Sequence, residues 1–406
     1  MTRDSLAFGV VLATVALDAI GIGLIFPVMP GLLEELTGRG LSEAALWGGL
    51  ITTSFAVMQF LCGPLVGNLS DRFGRRPVLL TSLTVMALDY VVLAVAGSVW
   101  LLLAGRVVNG ITSATHATAN AFVADITAPD DRARRFGLVG AAFGAGFVAG
   151  PLLGGLLATL DLRAPFWAAA GLAALNAGVG AFVLPESLPA DRRRPFRLAS
   201  ANPFGALREL RRLPGLHRLI AVAFLYALGF NVWPAIWSYY GAAAFGWDAW
   251  WIGLSLAVFG LAMAITQATA VGPVIRLLGE RRALFWGLWL EVGTLLFYGF
   301  TRSGFWAMAF TPVSALGGIV SPALNALMSR AVPETEQGAL QGVLASANAL
   351  AMILSPLVMT ATFGAFTRPG AAVFLPGAPF LVAAALTVAC LLILVAQRPD
   401  RRESAP

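Results

Sequence analysis

The chain has 406 residues, 58% of them hydrophobic and only 12% charged, about half the charged share of a soluble domain. Its net charge of +6 comes from 27 arginines with no lysine, and its two cysteines, Cys62 and Cys390, both fall in apolar blocks. Together these exclude an ordinary soluble domain, a disulfide framework and a nucleic-acid footprint.

The apolar residues gather into twelve blocks near the roughly 20 residues that cross a bilayer. A β-barrel would need short alternating segments instead. The predicted spans are 7–29, 46–66, 78–97, 99–122, 136–158, 165–184, 218–240, 250–272, 283–301, 304–327, 338–364 and 373–396. The first starts too near residue 1 for a signal peptide and runs into Gly-Pro punctuation, which predicts a retained helix. The fold class is therefore an all-α membrane protein of twelve transmembrane helices.

In span 1, Thr14 and Asp18 share a face, with Gly21 beside them. After span 2 comes Gly67-Asn-Leu-Ser-Asp-Arg-Phe-Gly-Arg-Arg-Pro-Val-Leu79. Gly67 and Gly74 permit close packing and tight turning. Asp71 can accept from helix N-termini or from Arg75 and Arg76, and Arg72 adds a further charge. Such a cluster holds helices together at one end of a bundle and breaks when they rock apart. A positive-inside anchor is the simpler alternative.

Span 3 carries Asp89. Span 4 carries Arg106, Asn109, Ser113, His116 and Asn120, spaced 3, 4, 3 and 4, which predicts one polar helix face. Span 5 reads Gly137-x8-Gly146-x3-Gly150-Pro151-x2-Gly154-Gly155. Its glycines admit a neighbouring backbone, and Pro151 bends the helix, which suits a seal or hinge between halves.

The longest polar stretch, 185–217, holds Arg192, Arg193, Arg194 and Pro189, Pro195 and Pro203. It reads as a cytoplasmic linker between six-helix bundles at 1–184 and 218–406. Gly272-Pro-Val-Ile-Arg-Leu-Leu-Gly-Glu-Arg-Arg-Ala-Leu284 repeats the earlier loop about 205 residues later, matching Gly67 with Gly272, Gly74 with Gly279 and Arg76 with Arg281. This fits a duplicated six-helix unit. Span 9 then carries Glu291, Thr294, Tyr298 and Thr301 at helical spacing, and span 11 carries Gln341, Asn348 and Ser355 every seven residues.

Arginine placement sets the orientation. One set of alternate loops and termini holds 22 arginines: Arg3, Arg72, Arg75, Arg76, Arg132, Arg134, Arg135, those from 192 to 218, Arg276, Arg281, Arg282, Arg330, Arg398, Arg401 and Arg402. The other set holds 4: Arg39, Arg163, Arg302 and Arg368. The positive-inside bias predicts the first set, and both termini, in the cytoplasm.

Charge at a helix centre costs about 2.5–3.5 kcal/mol on insertion scales, so Asp18, Asp89, Arg106 and Glu291 read as functional by default. The alternative is a structural ion pair of Arg106 with Asp18 or Asp89. The polar stripes suggest a central cavity, with interhelical hydrogen bonding as the plainer account. Buried carboxylates suit proton coupling, because burial disfavours the anion and protonation can then track access to either side. An inward proton releases about 2.3 kcal/mol per 100 mV, enough to help drive an outgoing substrate. His116 can titrate, bind substrate or simply pack.

The loop after span 2, Gly105-Arg106-x3-Gly110 in span 4 and the Gly-Pro motif of span 5 resemble the major facilitator superfamily, and the span 5 form resembles its drug–proton antiporter branch. More closely, the chain is similar to the twelve-helix tetracycline–proton antiporters. The matching stretches are Leu17-Asp-Ala-Ile-Gly-Ile-Gly-Leu-Ile-Phe-Pro-Val-Met-Pro30, Ser70-Asp-Arg-Phe-Gly-Arg-Arg-Pro77, Leu88-Asp-Tyr90, Gly110-Ile-Thr112, Glu280-Arg-Arg-Ala-Leu284 and Glu336-Gln-Gly-Ala-Leu-Gln-Gly342.

The resemblance implies a major facilitator fold of two six-helix halves and roles for single residues. Asp18 resembles the essential span 1 acid and Asp89 the span 3 acid. Asp71 and Arg75 lie in the gating loop, Arg106 resembles the arginine linked to proton transfer, and Gln267 matches a polar span 8 position. Glu291 stands where those pumps place an aspartate. Met263 replaces their span 8 histidine, His116 replaces a small residue, and span 7 is rich in Trp and Phe where they have glutamine. The proton side therefore matches better than the substrate lining.

The expected function is proton-coupled export of tetracycline or a similar amphipathic drug by alternating access. The alternative is a major facilitator transporter of another metabolite; a non-transporting membrane protein is the third reading. No nucleotide-binding loop is visible. The expectations are no enzyme, no cofactor, no protein metal site and no nucleic-acid partner, with the proton as coupling ion and a divalent metal riding on the drug if it is tetracycline. A monomer in the bacterial inner membrane completes the reading.

Overall fold

The computed structural model describes residues 3–113, 115–196, 202, 205 and 215–396. Arg398, Arg401, Arg402 and the linker arginines Arg197, Arg208, Arg211 and Arg212 lie outside the described residues. The first six spans are α1 (Arg3–Ile25), followed by the short α2 (Met29–Thr37), then α3 (Leu41–Phe73), α4 (Arg75–Val95), α5 (Val99–Thr112) with α6 (Thr115–Asp125), α7 (Arg132–Ala158) and α8 (Ala164–Val183). The second six are α9 (His217–Phe230) with α10 (Val232–Phe245), α11 (Ala249–Thr269) with α12 (Val271–Leu278), α13 (Glu280–Phe300), α14 (Gly304–Ser314) with α15 (Val320–Arg330), α16 (Gln337–Thr367) and α17 (Ala378–Ala396).

Among the described residues, eleven helical stretches are long and apolar enough to cross a membrane, and the twelfth span is α5 and α6 in series. The break comes at Ser113, where ψ is 84°. Neighbouring side chains serve it: Ser82 Oγ donates to the Thr112 carbonyl at 2.7 Å and Gln59 Nε2 to Ser113 Oγ at 2.9 Å. Irregular backbone at membrane depth persists where protein groups satisfy it in this way. The matched span 10 is interrupted at the corresponding depth by a 3₁₀ segment, Ala315–Ile319, which joins α14 to α15.

Other boundaries differ from the sequence reading for local reasons. Span 1 ends at Ile25, before Pro27, and its predicted tail re-forms as α2 with Pro30 in the first turn. Span 2 runs 33 residues, about 50 Å at 1.5 Å per residue, and so overshoots a 30 Å hydrocarbon core. Span 12 starts at Ala378, because 371–377 form turns.

In the first half α1 packs on α7 and α8, α4 on α8, and α3 on α5; in the second, α13 and α9 pack on α17. The halves meet through α3 against α16 and α7 against α11. Those contacts lie at the end remote from the arginine-rich loops. There Thr53 Oγ1 donates to the Ile353 carbonyl at 3.0 Å and Ser238 Oγ to the Phe26 carbonyl at 2.8 Å. A single apolar cluster from both halves fills this end, including Leu33, Ile51, Tyr90, Trp237, Phe363 and Phe380. At the arginine-rich end the second half has its own cluster, including Leu284, Met328, Leu340 and Leu394. Gly67, Gly137, Gly140, Gly144, Gly272 and Gly338 lie on the same end of their spans, and a Cβ on any of them would meet no atom within 4 Å. Among the described residues, the bundle is sealed at one end and open at the arginine-rich end. Large apolar side chains such as Phe182, Leu160 and Leu277 stand on its outer surface, as a lipid-facing wall requires.

Candidate functional site

The loop after span 2 is a clamp built around Gly74. Its φ of 108° suits glycine alone, and a Cβ there would collide with the Glu186 carboxylate. Glu186 accepts from the backbone N–H of Arg75 at 2.8 Å and of Arg76 at 3.3 Å, so it caps α4 against the positive end of the helix dipole. Arg75 pairs with Asp71 at 2.6 Å and with Asp125, the last residue of α6, at 3.2 Å. Ser187 Oγ donates to the same Asp125 oxygen, and the Arg194 N–H donates to the Asp71 carbonyl at 3.1 Å. Arg76 donates to the carbonyl of Ala181 near the end of α8. Arg72 lies over the Phe73 ring, 5.1 Å from its centroid. Gly67 faces open space, so its predicted close packing is absent in this open arrangement.

The second half repeats the clamp with the charges exchanged. Gly279 has φ 76° and precedes α13 as Gly74 precedes α4. Glu280 pairs with Arg330, the last residue of α15, at 2.7 Å. This is the Arg75–Asp125 pair moved along by 205 residues with its sign reversed. Arg281 donates to the Leu394 carbonyl near the end of α17, as Arg76 does to Ala181.

The span 5 glycines divide between two tasks. A Cβ on Gly146, Gly150 or Gly154 would strike the backbone of α1 at Ala16, Ile20 or Leu24. Their four-residue spacing makes a seam within the first half, which corrects the reading of the whole motif as a contact between halves. Pro151 and Gly155 do face the second half: the Pro151 carbonyl leaves no room for a Cβ on Gly253, and Gly155 abuts Ala249 and Trp250.

The buried charges occupy three settings. Asp18 is 8% exposed and has no hydrogen bond or ion pair among the described residues. Tyr90 stands near it, its hydroxyl 2.8 Å from where a Gly21 Cβ would be. Thr14, predicted beside Asp18, instead donates to Asn176 Oδ1 of α8 at 2.9 Å. Asp89 forms an ion pair with Arg106 at 2.9 Å and accepts from Asn109 Nδ2 at 2.7 Å, so the structural ion pair is realised. Glu291 is 3% exposed and, among the described residues, accepts only from the Trp233 indole, at 3.3 Å.

Three predicted cavity features need correction. The break at Ser113 splits the span 4 stripe: Asn109 is buried on Asp89, Ser113 meets Gln59, and His116 is exposed with its ring 5.5 Å from Phe143, while Asn120 is half-buried. The span 9 stripe is an interior seam, with Thr294 buried and the Tyr298 hydroxyl donating to the Ala307 carbonyl at 3.0 Å. The acids therefore stand inside the walls and do not line one open cavity. The exposed polar groups toward the open end are His116, Gln267, Gln341 and Asn348, with Gln267 donating to the Gly318 carbonyl at 3.1 Å. Sequence reading missed Glu186, Asp125 and Trp233. The Glu186 signal was present, as an acid just beyond span 6, but its partner lies 110 residues away.

A bundle of twelve apolar spans, sealed at one end, open at the other and carrying acids in both sets of six, defines a membrane transporter. The chain belongs to the Major Facilitator Superfamily, whose family model matches residues 11–266 and 219–406. It is 44% identical to the class C tetracycline resistance protein of Escherichia coli, over 96% of each chain. It is 40% identical to the class G tetracycline resistance protein of Vibrio anguillarum, over 95% of this chain and 96% of that one. Among solved structures it matches the human organic anion transporter MFSD10 with a TM-score of 0.69 at 28% identity, covering 97% of this chain and all of that one. The nucleoside transporter NupG shares the fold, with a TM-score of 0.76 at 13% identity over 99% of this chain and 100% of that one.

Proposed function

We propose that this protein exports tetracycline, or a similar amphipathic drug, in exchange for protons by alternating access. The observation that carries this is an isolated buried acid in each half of a bundle open at one end. Kinship to tetracycline resistance proteins over nearly the whole chain supports the drug. Asp18 and Glu291 have no cationic partner among the described residues, so each can exchange a proton without breaking an ion pair.

In this reading the open end faces the cytoplasm, as its arginines suggest, and both termini lie there. The drug enters between the bundles 1–184 and 218–406, joined by the linker 185–217. The clamps at Gly74 and Gly279 come together when that end closes. The protein works as a monomer in the bacterial inner membrane and needs no resident cofactor. The proton is the coupling ion, and tetracycline would bring its own divalent metal.

The test uses inside-out vesicles under an imposed pH gradient. Labelled tetracycline should accumulate, adding it should release protons from the lumen, and Asp18→Asn should abolish both. Full coupling in Asp18→Asn would remove that residue from the mechanism. Robust gradient-driven transport of another drug with none of tetracycline would reassign the substrate.

A further inference from the structure

The Trp233 ring occupies an unusual position. It is the second residue of α10, two positions after Asn231, where the helix of span 7 is interrupted. Its centroid lies 5.0 Å from Phe380 of α17, 5.2 Å from Tyr298 of α13, 5.6 Å from Trp237 and 6.2 Å from Phe259 of α11. The cluster runs on through Tyr240 and Phe245 into the sealed end, where Ser238 of the same helix holds the first half at Phe26. One ring thus touches both the seal and the acid of the second half.

The surroundings of Glu291 leave that contact as its main polar restraint. On the far side Oε2 fills the notch of Gly317, where a Cβ would collide with it. The 3₁₀ segment and helices α14, α15 and α17 bring it no charged side chain; Arg276, Glu280, Arg281, Arg282 and Arg330 all lie at the arginine-rich end. The titratable groups near it are Tyr226 of α9 and, beyond that, Cys390 of α17, with Tyr298 two turns along its own helix. An indole N–H can donate but not accept. Its bond to an ionised carboxylate is about twice as strong as its bond to a neutral acid. Trp233 therefore grips Glu291 when the acid is charged and loosens when a proton, or a positive group on a bound drug, neutralises it.

We propose that Trp233 is a positioning residue that keeps the empty, deprotonated transporter from changing its open side. This rests on the drug–proton exchange proposed above. With Glu291 charged and no drug bound, the indole ties the acid to the aromatic seal and the bundle stays open at the arginine-rich end. Proton or drug releases the tie, so the bundle reorients only when loaded with one or the other. That rule makes exchange obligatory. Without it the protonated carrier would cross inward, discharge and return empty, leaking protons with no drug moved.

The leak is the measurement. Inside-out vesicles carrying the native protein, Trp233→Phe or Trp237→Phe are acidified in the lumen, and decay of the pH gradient is followed without drug. Trp237 belongs to the same cluster, but its indole donates to Ser255 Oγ at 2.8 Å, so its replacement controls for packing. Trp233→Phe should speed the decay about tenfold or more, the factor expected for one lost hydrogen bond to a charged group. Trp237→Phe should match the native rate, and adding Trp233→Phe to Glu291→Gln should produce no further change. A Trp233→Phe gradient as tight as the native one, or equal leaks in the two tryptophan variants, would overturn the proposal while leaving drug–proton exchange intact. Absence of drug-driven proton movement in the native vesicles would instead remove the exchange itself. If Trp233→Phe fails to reach the membrane, Trp233→Leu is read in its place, because it fills apolar volume and carries no donor for Glu291; the same leak is expected.

Discussion

Asp89 and Glu291 hold similar depths in span 3 and span 9, yet their neighbourhoods are opposites. Asp89 has a guanidinium and a carboxamide within 3 Å, so its charge is compensated inside the protein. Glu291 has a 3.3 Å indole contact, a glycine notch and aromatic rings. A compensated carboxylate binds a proton only by giving up its partner, whereas an isolated one binds it and sheds the cost of a buried charge. The same residue class thus forms a tie in span 3 and stands without a cationic partner among the described residues in span 9.

Breaking the tie should give the largest effect. Arg106→Ala leaves Asp89 charged and uncompensated and should cost about 3–5 kcal/mol of stability. Thermal unfolding in detergent reads this, and the double variant Asp89→Asn, Arg106→Gln should recover to within about 1 kcal/mol of the native protein. Failure of the double variant to recover would mean that the pair does more than hold spans 3 and 4 together.

Gly74→Ala comes next. It forces a side chain into a left-handed backbone and against Glu186, at about 1–3 kcal/mol. Gly67→Ala, in open space, should change stability by under about 0.5 kcal/mol. Glu291→Gln sharpens the comparison from the other side. It removes a buried charge and keeps the shape, so stability should hold within about 1 kcal/mol. Drug-driven proton movement should disappear. A loss of stability as large as that of Arg106→Ala would collapse the distinction between the two acids. The smallest effect belongs to the second clamp: Arg330, 76% exposed, should contribute no more than about 1 kcal/mol through Glu280, read as Arg330→Gln against Glu280→Gln in a double-mutant cycle.

Twelve spans were legible because apolar length is a one-dimensional property, and the repeat at Gly74 and Gly279 because a required backbone angle leaves a glycine. The span 4 stripe was misread because its spacing assumes an unbroken helix, and nothing in Thr112-Ser113 announces that Ser82 and Gln59 will support a break. The span 5 glycines were legible as close-packing positions, but not which neighbour each would meet. Trp233 was visible only as part of an aromatic-rich span. Its pairing with Glu291 crosses 58 residues and depends on how span 7 is interrupted.

The reversed signs of the two clamps bear on how the chain assembles. A duplicated protein risks closing its second copy on the first, since each offers the other a matching shape. Here an exchange of partners would set Arg75 against Arg330 and Asp125 against Glu280, like against like. The reversed signs therefore favour, by about 1 kcal/mol at most, each clamp closing on its own half.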